Sequence, residues 1–406
     1  MHKRGFLASI GGLNILLLGL VSMLNDISSE MIQPLLPLLI SAIGGTGLTL
    51  GLIGGIIEGL PNIIKVGVGY FSDKIRKRKR FIFGGYFFTQ ASKLGIALAN
   101  NAAGLAVFIG FDKIGKGIRE PPRDALISES LPKEKGKAFG MQRAFDRGGA
   151  IIGSILALVL VILLSSKFKQ IDLIKLIIFI GAVIGFTSLI PLIFVKELNI
   201  KKNKTKIKFF SIIKNLSKPL VLFILIASIF ALANFSYLFF VFKASKIFRG
   251  EQYILPVIPI LLYAVYNIIY SLTSIPFGKF SDMLGRKKVI ITGYGLFAAV
   301  CLGFLFANSL SSYVVLFILY GLSSAMVFGN QNAMVSDLST KKLRATSLGV
   351  FQAVIGFMAI ISNIVAGILF DLNSSYMFLF GALLSLTSVI VFMSFGKYFK
   401  KIENLE

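Results

Sequence analysis

The sequence is poor in the residues that form disulfides and soft-metal sites, because its 406 residues include one cysteine and one histidine. Cys301 has no second cysteine to pair with, so an intramolecular disulfide is excluded. Zinc and other borderline metals are held mainly by thiolates and imidazoles, and we therefore expect neither a metal nor a cofactor. Tryptophan is absent, whereas phenylalanine occurs 38 times, which favours apolar packing as the main use of the aromatic residues.

Acidic residues are also scarce, with 18 Asp and Glu against 43 Lys and Arg and a formal net charge of +25. Such a charge could indicate a nucleic-acid partner, but the basic residues fall mainly in short polar loops on one side of a series of apolar runs. That asymmetry is typical of the cytoplasmic loops of membrane proteins and predicts that both termini are cytoplasmic. We therefore expect no nucleic acid as a partner.

The apolar content excludes a soluble chain, because 55% of the residues are hydrophobic and the mean hydropathy is +0.82. Apolar runs of about 20 residues, each long enough to cross a bilayer as a helix, occur twelve times and include 81–100 and 104–127. Runs such as "LVLFILIASIFALA" lack the alternation of membrane strands. The sequence predicts an all-α, multi-pass protein with twelve transmembrane helices, a monomer in the lipid bilayer of the inner cell membrane.

The sequence repeats itself on either side of one long polar linker. "GYFSDKIRKRK" from Gly69 aligns with "GKFSDMLGRKK" from Gly278, and "DALISE" from Asp124 aligns with "NAMVSD" from Asn332, at offsets of about 209 residues. We infer an internal duplication. The predicted domains are an N-terminal six-helix bundle, a cytoplasmic linker and a C-terminal six-helix bundle, at 1–196, 197–218 and 219–406.

Both repeats carry a motif that resembles the G-x-x-x-D-R/K-x-G-x-R/K-R/K signature of the major facilitator superfamily, although Arg76 stands where the first copy should have glycine. The run "GKGIREPPRDA" in the fourth helix is similar to a prokaryotic branch of that family. The resemblance implies two pseudo-symmetric six-helix bundles. We predict that the signature and the fifth helix act as conformational latches, although the loop charges could instead serve only as topology signals. The predicted latch residues are Gly69, Asp73, Lys74, Arg78, Gly278, Asp282, Gly285, Lys287, Arg143 and Asp146.

Buried charge is costly in lipid, so ionisable side chains within the spans are candidates for function. Counting the rise of each helix from its entrance places Asp26, Glu58 and Asp112 at one level. A carboxyl group there could take up and release a proton, because burial disfavours its charged form whereas a nearby cation favours it. We predict ion coupling at Asp26, Glu30, Glu58 and Asp112, with Glu58 and Asp26 as the first choices.

The fourth helix carries a stripe in which Asp112, Lys116, Arg119 and Arg123 share one face. The spacing predicts ion pairs of Lys116 with Asp112 and with Glu120. Basic side chains near this stripe would balance the acids or contact an anionic group of a substrate. The second half has neutral polar residues at equivalent places. The charges could equally form a salt-bridge scaffold that holds the first bundle together. The predicted substrate-cavity residues are Lys93, Lys116, Arg119, Arg123, Asn234, Asn267, Asn330, Gln331, Gln352 and Asn363.

These features predict a secondary active transporter of a small molecule, anionic or amphipathic, with protons as the coupled ion and alternating access between two bundles. No phosphate-binding G-x-x-x-x-G-K-S/T motif is present, which argues against ATP as the energy source. Gly140, Gly149 and Gly153 partly match a glycine motif of facilitator antiporters, which favours export over uptake. A receptor or partner protein that kept the fold without transport, or a membrane-embedded lipid enzyme, are the alternatives, and we expect no enzymatic activity.

Overall fold

The computed structural model describes residues 10–75, 77–131, 134–198, 216–248, 257–340 and 343–395. Within these residues every regular element is helical, and a 3-10 turn at Gln33–Leu35 joins the first two α-helices. The α-helices are α1 (Ile10–Ile32), α2 (Leu36–Ala42), α3 (Gly47–Ile75), α4 (Arg78–Leu98), α5 (Ala102–Ser130), α6 (Lys135–Leu164), α7 (Gln170–Thr187), α8 (Leu189–Phe194), α9 (Lys218–Ala233), α10 (Tyr237–Ile247), α11 (Val257–Leu284), α12 (Arg286–Phe306), α13 (Leu310–Asp337), α14 (Arg344–Leu372) and α15 (Ser374–Ser394).

Ten helical segments of the described chain are long and apolar enough to cross a membrane. Two of them join consecutive helices, Gly11–Ala42 across α1 and α2 and Lys218–Ile247 across α9 and α10. The two other long helices are α4 and α5, of 21 and 29 residues, in which charged side chains interrupt the apolar sequence. The prediction of an all-α multi-pass membrane protein is confirmed, whereas the count of twelve spans stays a prediction.

The chain forms two compact units. The first comprises Met1–Gly45, Ile63–Asn203 and Phe248–Ile260, and the second comprises Thr46–Asn62, Lys204–Ile247 and Leu261–Glu406. The first part of α3 therefore packs with helices from the C-terminal half of the sequence. The domain division predicted at the polar linker stays a prediction.

The first unit is held together by close helix pairs. Glycines of α6 meet the backbone of α1, since a Cβ atom at Gly149 would lie 2.5 Å from the Met23 carbonyl oxygen and one at Gly153 would lie 2.4 Å from that of Ile27. The pair α4 and α5 is similarly close, because a Cβ at Gly85 would lie 2.8 Å from the Gly115 carbonyl oxygen. Small residues of this kind allow helices to pack without a bulky interface in lipid.

Aromatic rings fill the core of the second unit. The rings of Phe230 and Tyr294 stack with centroids 3.9 Å apart, and those of Phe304 and Phe378 stack at 5.2 Å. Phe240 of α10 is fully buried and lies 5.0 Å from the Phe304 ring. Offset and edge-on ring contacts of this kind add to the stability that area burial supplies. The Phe-rich run of α10 therefore belongs to the core of this unit.

The start of α3 shows how the second unit fixes one helix end. The first four amides of a helix have no partner within it. Here the Gly47 and Leu48 amides donate to the two carboxylate oxygens of Asp371, at 2.5 and 2.8 Å. The Thr49 amide donates to the Thr46 side chain at 3.3 Å, and the Leu50 amide donates to the Thr46 carbonyl at 3.1 Å. All four amides at the N-terminus of α3 are thus satisfied.

One face of α3 continues this contact along α14. A Cβ atom at Gly51 would lie 2.2 Å from the Asn363 carbonyl oxygen, and one at Gly59 would lie 2.4 Å from that of Gly356. Larger side chains at these positions would force the two backbones apart. The contact with α14 therefore depends on glycines at four-residue spacing along α3, namely Gly47, Gly51, Gly55 and Gly59.

Candidate functional site

Arg119 of α5 lies in the interior of the first unit with 5% of its surface exposed. Its guanidinium carbon lies 4.4 Å from the centre of the Tyr86 ring, and Nη1 donates a 2.6 Å hydrogen bond to Oγ1 of Thr89. Its Nε has no hydrogen-bond partner, and no carboxylate among the described residues lies within ion-pair distance. Arg119 is therefore a buried cation that the described chain does not neutralise directly.

Lys93 of α4 is also buried, with 2% of its surface exposed. Its ammonium group donates to the hydroxyls of Ser28 and Ser29, each at 2.9 Å, and to the Asn25 carbonyl at 3.4 Å. These three acceptors on α1 use all three donors of the ammonium group. Lys93 thus has a complete set of neutral partners, and no ion pair with a described carboxylate accompanies them.

Asp112 does not form the predicted ion pair with Lys116. It is 7% exposed, and its Oδ2 lies 2.7 Å from the ammonium of its neighbour Lys113. The predicted pair of Lys116 with Glu120 is present at 3.8 Å, but the Lys116 side chain is 42% exposed. Lys65 of α3 lies closer to Glu120, at 2.6 Å. Helical spacing indicated which side chains can meet, whereas packing between helices decided which of them do.

Several of these side chains line a small cavity in the first unit. Its volume is about 20 Å³, and its polar lining comes from Ser29, Gln33, Lys93, Asp112 and Lys113. A cavity of this size with several polar groups holds about one water molecule. Lys93 and the ion pair of Asp112 with Lys113 both line this cavity, which is too small for a substrate.

Asp26 and Glu30 of α1 have neutral hydrogen-bond partners. The Asn25 side chain donates to Oδ1 of Asp26 at 3.0 Å, and the Gln33 side chain donates to Oε1 of Glu30 at 3.0 Å. No described cation lies within ion-pair distance of Asp26, although Arg119, Arg123 and Lys116 are near enough to act on its carboxylate through space. Asp26 thus has a cationic field around it without a direct ion pair.

Glu58 of α3 is half-buried in the second unit, one helical turn beyond Gly54, and its polar neighbours there are Ser236 and Asn363. Asn363 is fully buried, accepts the Ser236 amide at 2.8 Å and donates to the Ala359 carbonyl at 2.8 Å. No described cation forms an ion pair with Glu58. Because Asp26 and Asp112 belong to the first unit, the shared level predicted for the three acids stays a prediction.

The duplication is visible in the contacts of α5 and α13. Arg123 donates through Nη1 to Ser22 at 2.9 Å, Ser22 lies 3.1 Å from the Tyr86 hydroxyl, and Arg123 also pairs with Asp124. At the equivalent place, Gln331 donates directly to the Tyr294 hydroxyl at 2.8 Å. A tyrosine on one helix and a polar residue on the next therefore recur in both units, with charge only in the first.

The other predicted cavity residues of the second half are held by local bonds. Asn330 is buried, accepts from Ser281 at 2.6 Å and donates to its own helix. Gln352 donates to Asn332 at 2.7 Å. Asn234 follows the last turn of α9, and Asn267 is half-buried on α11. The structure does not gather these side chains around one group, and their role in a cavity stays a prediction.

The two signature segments make an equivalent ion pair. Nη2 of Arg78 lies 2.6 Å from Glu129, and Arg286 pairs with Asp337 at the positions related by the duplication. Arg286 also pairs with Asp282 at 3.0 Å. Sequence reasoning missed Glu129 and Asp337, although both follow from the offset that aligns "DALISE" with "NAMVSD".

The glycines of the signature motif differ in backbone conformation and in surroundings. Gly285 has a φ angle of 92°, a left-handed conformation that favours glycine, immediately before α12. A Cβ atom at Gly69 would meet only Pro121 at 3.8 Å, and one at Gly278 would meet no described atom within 4 Å. Neither glycine is therefore required for a close approach between described helices.

The remaining latch residues differ in exposure. Lys74 and Arg143 are exposed, Lys287 is half-buried, and Asp146 accepts a 2.9 Å hydrogen bond from Gln142. The side chain of Asp73 lies outside the described part of the chain. The latch role of these residues stays a prediction.

The glycines of the partial antiporter motif on α6 also have distinct surroundings. Gly149 and Gly153 pack on α1, whereas a Cβ atom at Gly140 would meet no described atom within 4 Å. These contacts are those of helix packing, as expected for small residues in membrane helices.

Several residues of the site were not singled out from the sequence. Tyr86, Thr89 and Ser236 are neutral side chains, and Asp371 lies 324 residues from the amide that it binds. Only their positions relative to other helices mark them. Within the described residues no three His, Cys, Asp or Glu side chains come together as a group that could hold a metal ion.

Comparison with known proteins agrees with this architecture. The model of the Major Facilitator Superfamily matches residues 18–261 and 256–403. The chain is 47% identical over 381 residues to an uncharacterized MFS-type transporter of Methanocaldococcus jannaschii, with 94% of each chain covered. It is 29% identical over 125 residues to the multidrug transporter MdtP of Bacillus subtilis, covering 30% of this chain and 23% of that one.

Among solved structures, a mutant of the nucleoside transporter NupG superposes with a TM-score of 0.79 at 15% identity, covering 94% of this chain and 99% of the other. At this identity the likeness concerns the fold alone. The family match and the archaeal relative together point to membrane transport rather than to enzymatic chemistry. The chain belongs to the Major Facilitator Superfamily of membrane transporters.

Proposed function

We propose that the protein is a proton-coupled secondary transporter that exports an anionic or amphipathic small molecule by alternating access. The observation that carries the proton coupling is the environment of Glu58. Its polar neighbours are Ser236 and Asn363, and no described cation forms an ion pair with it. Neutral partners allow a carboxyl group to exchange a proton without the rupture of a salt bridge. Asp112, by contrast, is committed to Lys113.

Asp26 is the second proton site in this proposal. It shares with Glu58 the lack of an ion pair among the described residues, and it accepts a hydrogen bond from Asn25. The cations Arg119 and Arg123 act on its carboxylate through space. A bound anion that screens those cations would change the proton affinity of Asp26, because nearby charges bias the two protonation states. Substrate binding and proton exchange would thereby be linked.

The substrate class follows from the buried cations. Arg119 and Lys93 are 5% and 2% exposed, and neither forms an ion pair with a described carboxylate. Both charges favour a nearby anion, but only Arg119 keeps an unused donor, because α1 occupies all three donors of Lys93. The planar guanidinium of Arg119 suits a carboxylate or phosphate group better than a point charge does. The similarity of part of the chain to a multidrug transporter favours an organic compound as the substrate.

The remaining parts of the proposal concern placement and direction. We place α4 and α5 across the membrane, since 21 and 29 helical residues extend about 31 and 43 Å and Lys93, Asp112 and Arg119 on them are buried in protein. We place both termini in the cytoplasm of a cell membrane, from the distribution of basic loops. Export is preferred to uptake because α6 carries part of an antiporter motif.

A flux experiment in proteoliposomes tests the proposal. Compounds with an anionic group would first be screened for thermal stabilisation of the purified protein, because a ligand that prefers the folded state raises its stability. A stabilising compound would then be followed across the vesicle membrane with and without an imposed pH gradient. We expect the gradient to drive its accumulation. Transport unaffected by collapse of both the pH gradient and the potential would contradict proton coupling, and dependence on sodium would identify the other ion.

A further inference from the structure

A groove on the surface of the first unit lies between the start of α4 and the middle of α5. It consists of two adjoining cavities of about 420 and 530 Å³. Lys77, Arg80 and Gly84 line both cavities, so the two share one wall. We call the pair the α4–α5 groove. A binding pocket for a small organic molecule has a volume in the same range.

The shared wall carries positive charge that the described chain leaves without an ion pair. Lys77 and Arg80 are exposed, and neither forms an ion pair with a described carboxylate. Glu197 also lines one cavity, but its two oxygens accept the amides of Arg78 and Lys79 at 2.9 and 3.0 Å. That carboxylate serves as the cap of α4. The side chains of Lys77 and Arg80 therefore remain available to an anionic group.

The floor of the larger cavity is apolar. It extends from Phe81 to Phe88 along α4 and includes Ile114 and Ile118 of α5. Phe88 is 37% exposed, and its ring lies 5.4 Å from that of Phe111, which continues the apolar surface. Eight residues separate Arg80 from Phe88, a distance of about 12 Å along a helix. One end of the groove is thus cationic, and the other end, about 12 Å away along α4, is apolar.

We propose that the α4–α5 groove binds an anionic phospholipid, with its phosphate on Lys77 and Arg80 and an acyl chain along Phe88, Ile114 and Ile118. The occupant follows from charge complementarity and from the apolar floor in a membrane protein. Basic pockets at the cytoplasmic side of membrane helices attract anionic headgroups, and the charge distribution predicts this loop to be cytoplasmic. A free phosphate ion would use the cations and leave the apolar floor empty.

The test compares the wild type with two variants in nanodiscs of phosphatidylcholine with phosphatidylglycerol. The double variant Lys77→Gln/Arg80→Gln removes both cations. After each protein is purified from the nanodiscs, mass spectrometry quantifies the lipid that it retains. We expect the preference of the wild type for phosphatidylglycerol to fall about 30-fold, as estimated for two charges near an anionic headgroup. The control Lys279→Gln/Lys288→Gln removes two exposed charges from the equivalent segment of the second half and should leave the preference unchanged.

The second variant, Gly84→Leu, fills the shared wall and leaves both cations in place. A Cβ atom at Gly84 would meet no described atom within 4 Å, so the helix should form normally. Gly295 of α12 is equally open, and Gly295→Leu is the matched control. Of these two glycine variants, we expect Gly84→Leu to retain less phosphatidylglycerol than the wild type and Gly295→Leu to retain as much. An equal preference in the wild type and the double variant would overturn the proposal. Displacement of the lipid by inorganic phosphate alone, with no effect of Gly84→Leu, would identify a free-phosphate site instead.

Discussion

The contact between Asp371 and the start of α3 can be tested without knowledge of the substrate. Asp371→Ala removes both acceptors of the Gly47 and Leu48 amides, whereas Asp371→Asn keeps one oxygen acceptor and removes the charge. The other two amides of the turn keep their bonds to Thr46 in either variant. The two variants therefore change only the half of the cap that comes from α14.

The magnitude follows from the two bonds. Loss of a capping side chain costs about 0.5–2 kcal/mol, and loss of a negative charge at a helix N-terminus costs about 0.3–1 kcal/mol. Because Asp371 is exposed, solvent screens the charge, and we take about 2 kcal/mol for Asp371→Ala. That value corresponds to about 30-fold in the local opening equilibrium. Asp371→Asn should cost about half as much, which corresponds to about fivefold.

Hydrogen–deuterium exchange is the assay, because local opening of a helix end exposes its amides. We expect exchange in a peptide covering residues 46–55 to rise about 30-fold in Asp371→Ala and about fivefold in Asp371→Asn. Asp172→Ala is the control, since it removes an exposed acid from the first turn of α7, in the other unit. Unchanged exchange at 46–55 in a folded Asp371→Ala protein would refute the cap.

Three further variants test the packing and the buried cations. Gly51→Leu should destabilise the protein by about 1–3 kcal/mol, because a Cβ atom there would lie 2.2 Å from the Asn363 carbonyl oxygen, and a lower Tm would measure this loss. Gly67→Leu should be nearly neutral, because a Cβ atom at Gly67 would meet no described atom within 4 Å. Lys93→Met should leave the Tm of the free protein unchanged or raised but abolish its increase on ligand binding. A lower Tm of the free protein together with loss of that increase would favour the alternative in which the charges form a salt-bridge scaffold. Arg119→Lys should weaken binding of an anionic ligand about tenfold, since stacking on Tyr86 and the planar fork are lost, and ligand titration of the Tm measures it.

The sequence was sufficient for the class and the repeat. Long apolar runs have few folded solutions in a bilayer, because every backbone group must bond within its own segment, and helices satisfy that requirement. The offset between the halves also relates contacts that the structure reveals. Arg78 with Glu129 and Arg286 with Asp337 occupy related positions in the two units. The second pair follows from the alignment once the first is known.

The partners of individual charges were less predictable. Spacing along α5 favoured Lys116 as the partner of Asp112, but the structure pairs Asp112 with Lys113. An i, i+4 rule states which side chains share a helix face, and the neighbouring helices determine which rotamer is populated. The contact of Asp371 with Gly47 joins residues 324 positions apart. A single sequence without covariation carries no signal for such a contact.

The most direct test of the proposed mechanism is proton exchange on ligand binding. A compound that stabilises the purified protein would be added to the wild type and to Glu58→Gln in weakly buffered detergent solution, and a pH-sensitive dye would report the change in the number of bound protons. We expect a measurable change in the wild type and a clearly smaller one in Glu58→Gln, with ligand binding retained. An equal change in the two proteins would contradict the role of Glu58 in coupling.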